Sequence, residues 1–253
     1  MRVGLTEQVE RPPTSASEHP DRRDLRIAEQ TLPNEVFFPL IERAGLKDTG
    51  KRYLTFAEIE RYRGIKVAPF CNPNTAAGLD EVRDFAPDLI LTIRYGAILK
   101  TDVIAIPKFG VLNLHSGRPP EYRGMLATFR ALCAGDAEIG CTLHYIADGR
   151  IDTGPIVGNT RMRVTPGQSL LWHILALYPA GVQLVEDAIS ALSGGALPAR
   201  VPQAAVEGAY YSHPAAADWQ KFRHLGWASV HVGDLEGIFR KYLVKDAGNF
   251  SGE

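Results

Sequence analysis

The chain is short of the features that would place it in a special class. No stretch approaches the uninterrupted apolar length of a membrane span, and the first residues, MRVGLTEQVERPP, carry charges where a signal peptide needs its apolar run. These absences point to a cytoplasmic protein with no membrane partner. Cysteine is scarce: Cys71, Cys133 and Cys141 are odd in number and lack a metal-ligand spacing, which argues against a disulfide framework or a zinc site and leaves them as small buried residues. No charge sign dominates either. Lys and Arg number 28 against 29 Asp and Glu, for a formal net charge of -1. The cations fall in separate pairs, such as Arg22/Arg23 and Arg240/Lys241, so no basic stripe suits a nucleic acid. Internal repeats and low-complexity tracts are also missing.

What is present is an ordinary globular composition, 45% hydrophobic and 23% charged over 253 residues. That is enough for one large domain, or a domain with an appendage. MRVGLT reads as a short first strand, and the polar EQVERPPTSASEHPDRRDLR as a long loop. Thr31, Pro33, Val36, Phe37, Leu40 and Ile41 suggest a helix ending near Gly45, with Pro39 against it. Thr55-Phe-Ala-Glu58 is a capping box that opens a short helix, and Ile65 to Phe70 reads as a strand. Asn74 or Thr75 then caps a helix that runs to about Phe85. Asp88 to Tyr95 has the continuous apolar character of a strand buried on both faces.

A short helical segment around Asp102 to Ile106 leads to a strand from Gly110 to His115, and Pro119-Pro120 force an irregular loop. Met125 to Ala134 reads as a helix, Gly140 to Ile146 and Pro155 to Val164 as strands, and Ser169 to about Leu192 as a helix that Pro179 kinks. Strands alternating with helices predict an α/β fold, a doubly wound and mostly parallel sheet over residues 1–204. Residues 205–253 form a small extension. Its Trp219/Phe222/Leu225 and Leu235/Ile238/Phe239/Tyr242/Leu243 stripes predict two amphipathic helices, too short to bury a core alone, that dock on the domain or on a partner subunit. Tyr210-Tyr211 and the Trp219/Phe222 stripe are open to three readings: acceptor stacking, a homodimer contact or simple packing. AGNFSGE is expected to fray.

The chemical signal lies in GVLNLHSGRPPEYRG, from Gly110, and DGRIDTGPI, from Asp148. Side chains two apart on a strand share a face, so Asn113 and His115 project together while Leu112 and Leu114 face the core. At the carboxyl end of a parallel strand they lie where open α/β sheets place ligands. Asp152 sits in a turn bracketed by Gly149 and Gly154-Pro155. An amide, an imidazole and a carboxylate are a workable set for acyl transfer to an amine: the imidazole moves protons, the amide steadies an oxyanion, the carboxylate orients. Each also has a plainer reading, His115 as a satisfied core residue and Asp152 as a turn former. Spacing alone does not bring Asp152 to His115. Ser116 faces away from His115 and has no GxSxG elbow around it, which argues against a serine hydrolase.

NLHSGRPPEYRG followed by GCTLHYIADGRIDTGPIV resembles the two signature regions of the folate-dependent formyltransferases, over roughly Thr55 to Gln203. The resemblance implies that Asn113, His115 and Asp152 are the catalytic trio, that the cofactor is N10-formyltetrahydrofolate, and that its formyl group passes through a tetrahedral intermediate to an amine. It also implies cofactor contacts at Arg94, Tyr95, Gly96, Ile98 and Leu99, within APDLILTIRYGAIL, and at Asp148, Gly149 and Ile151. Core packing is the competing reading for Ile98 and Leu99. Ser116, Gly117, Arg118, Tyr122 and Arg123 are candidate acceptor contacts; Arg118 stands where relatives are apolar and is either a phosphate or carboxylate ligand or a solvated charge, and Arg123 either touches substrate or forms a structural ion pair.

The expected acceptor is a small-molecule amine, such as an amino sugar nucleotide, because the extension is too small for a tRNA-binding domain. Methionyl-tRNA formylation, formyltetrahydrofolate hydrolysis and non-catalytic folate binding are the alternatives.

Overall fold

A computed structural model of the chain describes residues 1–5, 18–70, 72–203 and 208–243. The terminus expected to fray, Cys71 and most of the expected long loop lie outside them. The first strand, β1 (Arg2–Leu5), pairs in parallel with β2 (Lys66–Pro69) as a separate two-stranded sheet. Between them the chain is helical well before Thr31. Pro20 at the first turn and the ring of His19 at the N-cap start α1 (Pro20–Arg26), where a loop was expected. π-helical turns at Ile27–Thr31 and Pro33–Phe37 carry it into α2 (Phe38–Ala44), which stops at Gly45 in the left-handed conformation. The capping box forms as read: Thr55 accepts from the Glu58 N–H, the Glu58 carboxylate accepts from the Thr55 N–H, and α3 (Phe56–Arg63) follows. That carboxylate also holds buried Arg52 at 2.7 Å.

Thr75 caps α4 (Ala76–Phe85), which leads into β3 (Ile90–Ile93). This strand is not buried on both faces, since Ile93 is 42% exposed. After α5 (Thr101–Ile104) comes β4 (Val111–His115), parallel to β3. Next are β5 (Tyr122–Gly124), α6 (Ala127–Ala134), β6 (Glu138–Ile146) and β7 (Ile156–Arg163). The central sheet runs β3-β4-β6-β7, and its second half is antiparallel: β6 turns back against β4, and β7 against β6. The parallel pairs are β1–β2, β3–β4 and one more made by β5, and the α/β layering stands.

The long helix α7 (Leu170–Ser193), capped by Ser169 and containing Pro179, covers β6 and β7. Leu112, Leu114, Leu143 and Leu177 form the core between helix and sheet. Burying each such side chain contributes roughly 1.5–3 kcal/mol. Beyond α7 a third sheet appears that the sequence did not announce, β8 (Ala209–Tyr211) running parallel to β5. α8 (Ala216–His224) and α9 (Val232–Leu243) complete the described residues. Trp219 and Phe222 of α8 are fully buried against Phe129 of α6, so in this chain the stripe packs internally rather than facing a partner. No helix among the described residues is long and apolar enough to cross a membrane.

Candidate active site

Leu112 and Leu114 are buried and Asn113 and His115 turn to the other face, as the period-two pattern requires. Asp152 reaches them from the β6–β7 connection, held at φ 52, in the left-handed region that Asp tolerates better than most residues. Its Oδ2 lies 3.6 Å from His115 Nδ1 and accepts from the Gly124 N–H at 2.8 Å; its Oδ1 lies 3.4 Å from Asn113 Nδ2. The structure thus brings the three together. Gln203 fastens the loop by donating to the carbonyls of Asp152 and Gly154, at 2.7 and 2.9 Å.

A fourth member was not read from the sequence. His144, on β6 directly opposite Asn113, places Nε2 3.1 Å from Asn113 Nδ2 and 3.3 Å from Asp152 Oδ1, while its Nδ1 lies 2.9 Å from the Tyr145 carbonyl. The only local signal was a histidine alone in the apolar run Leu143–Ile146. Thr92 closes the cluster from β3, its hydroxyl donating to Asn113 Oδ1 at 2.8 Å.

Burial raises the affinity of the Asp152 carboxyl for a proton. The His115 ring, the His144 hydrogen bond and the Gly124 N–H together outweigh it and hold the group down at about 2. Asp152 is therefore an anion at neutral pH. Both ring nitrogens of His115 face oxygens, since Nε2 lies 2.9 Å from the Tyr122 carbonyl. Gly117 has to be glycine, because a Cβ there would sit 2.4 Å from His115 Nε2 and 2.5 Å from the Ala127 methyl.

The remaining sequence candidates divide. Arg118 is not a free cation at a mouth: it pairs with Asp136 at 2.9 Å, which also accepts from the Tyr122 hydroxyl. Tyr122 is buried, stacked on Tyr211. Among the described residues Arg123 shows no ion pair; half-buried, it donates to Gln203 and so braces the Asp152 loop. The Ser116 carbonyl is taken by Thr128. Arg94 adopts φ 51 and pairs with Glu29 at 2.6 Å. Together with Tyr95 and buried Leu99 it lines a cavity of about 620 Å³ that Thr92 also borders. Ile98 is 54% exposed, so it is not core; Asn74 staples its loop by bonding the Ile98 carbonyl and the Lys100 N–H. Gly96 is exposed in that loop. Asp148 is engaged by Arg150 on the surface, Gly149 has open space beside it, and Ile151 is half-buried just before Asp152.

Residues 60–171, which hold all of Thr92, Asn113, His115, His144 and Asp152, match the model of the formyl transferase family. Over these residues the chain carries a domain of the folate-dependent formyltransferase family. It is 33% identical over 185 residues to the methionyl-tRNA formyltransferase of Burkholderia thailandensis, covering 68% of this chain and 56% of that protein. It is 35% identical over 152 residues to that of Burkholderia orbicola, 58% of this chain and 45% of the other. The chain thus spans about half the length of the curated relatives it matches. Among solved structures it resembles the formyltransferase PseJ from Anoxybacillus kamchatkensis, in complex with UDP-4,6-dideoxy-4-formamido-L-AltNAc and tetrahydrofolate (TM-score 0.51, 21% identity, 75% of this chain and 92% of that one). It also resembles a 4-N formyltransferase from Francisella tularensis (TM-score 0.51, 18% identity, 66% and 63%). At these identities the likeness is one of fold.

Proposed function

We propose that the site transfers the formyl group of N10-formyltetrahydrofolate to the amine of a small molecule. The observation that carries this reading is the convergence of Asn113, His115 and ionised Asp152 with no covalent nucleophile among them. The donor, when bound, supplies an activated formyl carbon. Asn113 donates a hydrogen bond where negative charge develops on the formyl oxygen; its 3.4 Å contact to Asp152 is the weakest it makes and the one a charged oxygen would replace. His115 moves the proton that the amine loses and the departing nitrogen gains. Asp152 holds that ring in place. His144 and Thr92 grip the Asn113 amide from both ends and fix which way it points.

The residues present suit such a donor. Leu99 and Val103 give a buried apolar wall, Tyr95 a ring, and the left-handed turn at Arg94 sets the rim one residue pair from Thr92. The open space at Gly149 leaves the backbone of the second loop approachable. A small acceptor is supported by the near-neutral net charge, which gives a tRNA backbone little to hold. The tRNA reading draws on what the relatives are called, over about half of their length.

The test is formyl transfer by the purified chain, with N10-formyltetrahydrofolate, a panel of amines and charged methionyl-tRNA, beside Asp152→Asn. The expected outcome is transfer to a small amine, reduced about 10²- to 10⁴-fold in the variant with donor affinity intact. Unchanged turnover in Asp152→Asn would falsify the assigned role. Formate release without any acceptor would mark a hydrolase instead.

A further inference from the structure

The cavity beside β3 has two walls of different origin. Its volume of about 620 Å³ is that of a pocket for a small organic ligand. One wall is Arg94, Tyr95 and Leu99, assigned above to the donor. The other comes from parts of the chain outside residues 60–171: Phe38, Phe56, Leu175, Ile238 and Tyr242, supplied by α2, α3, α7 and α9. A transfer between two substrates needs both at one place, and a shared cavity provides it. Its link to the chemistry is Thr92, which borders the cavity and bonds Asn113.

The charges around this space are already matched. Two arginines line it, and each pairs with a carboxylate that lines it too, Arg2 with Glu81 and Arg94 with Glu29. A phosphate entering here would have to displace those carboxylates and leave them poorly solvated, a costly exchange. An apolar group meets no such competition, because the second wall is aromatic and aliphatic.

We propose that this second wall receives the apolar body of the amine acceptor, so that the acceptor is a hydrophobic primary amine, alkyl or arylalkyl, without phosphate. The inference rests on the formyl-transfer reading and names the substrate class for it.

The experiment uses the full chain, with calorimetric binding and formyl-transfer rates for linear alkylamines of graded length, an arylalkylamine and a UDP-linked amino sugar. Affinity and kcat/KM should rise about fourfold per added methylene until the space is filled. Leu175→Trp and Ile238→Trp, each occupying the wall from a different helix, should flatten that rise and leave tetrahydrofolate affinity unchanged. A flat series in the unaltered protein overturns the proposal, with no variant needed. So does a preference for the UDP-linked amino sugar, and so does loss of tetrahydrofolate affinity in folded Trp variants, which would give the wall to the donor. Binding that grows with chain length but leads to no formyl transfer would keep the cavity assignment and sink the formyl-transfer reading.

Discussion

Asn113 and His144 face each other across the antiparallel β4–β6 ladder, Nδ2 to Nε2 at 3.1 Å, and both lie against the same oxygen of Asp152. The Tyr145 carbonyl lies beside His144 Nδ1, and His144 Nε2 holds one end of the Asn113 amide. Thr92 holds the other end of the amide. The orientation of the side chain proposed to steady a substrate oxygen is therefore set by two residues whose proposed role needs no contact with substrate.

Deleting these supports should lower kcat with little change in donor affinity. His144→Ala removes contacts to a side chain and a carboxylate, and a roughly ten- to hundredfold fall in kcat is expected. Thr92→Val removes one hydroxyl at constant shape and should cost about two- to tenfold, with Thr92→Ser restoring most of it. Steady-state kinetics beside tetrahydrofolate titrations separate the two quantities. A rise in donor Kd that matches the loss of kcat would show collapse of the pocket rather than misorientation of Asn113.

Which parts of this site were legible in the sequence depended on whether the determining interaction was local. The Thr55–Glu58 capping box spans four residues and formed as written, and the shared face of Asn113 and His115 followed from strand period alone. Asp152 needed a left-handed residue and a β6–β7 hairpin to reach His115, so only resemblance predicted its arrival. His144 joined through cross-strand register, which no single segment encodes. Arg118 looked like a loop cation because its partner, Asp136, lies 18 residues away beyond a helix. The pairing of β8 with β5 escaped notice because a three-residue strand in a polar segment has no period to detect.

The packing of the last helices has a measurable size. Trp219 has no exposed surface, with its ring 4.4 Å from Phe129 and stacked at 5.7 Å on His19, and so joins α8 to α6 and to the start of α1. Truncating such a ring leaves a cavity and costs about 3–5 kcal/mol. Trp219→Ala is expected to lower Tm by roughly 6–20 °C, at about 2–4 °C per kcal/mol for a chain of this size. Light scattering should show no change in mass between the native protein and the variant below that transition. A variant with unchanged Tm but a halved mass would instead make the stripe a contact between subunits.

Asp152 also predicts how the protein responds to acid. Its folded-state value of about 2 lies below the ordinary carboxylate value of about 3.9 that it regains on unfolding. The unfolded chain therefore takes up this proton first. The stabilisation is fully present above pH of about 4 and is lost as the pH falls through the folded-state value. Its size is on the order of 2 kcal/mol, at 1.36 kcal/mol per pH unit of displacement. Asp152→Asn has no such proton to bind, so the stability gap between the native protein and the variant should be constant from neutral pH to about 4, then change by about that amount toward pH 2. Urea unfolding at a series of pH values measures the gap directly. A gap that stays level through this window would mean that the carboxylate is not held by the His115, His144 and Gly124 contacts described for it.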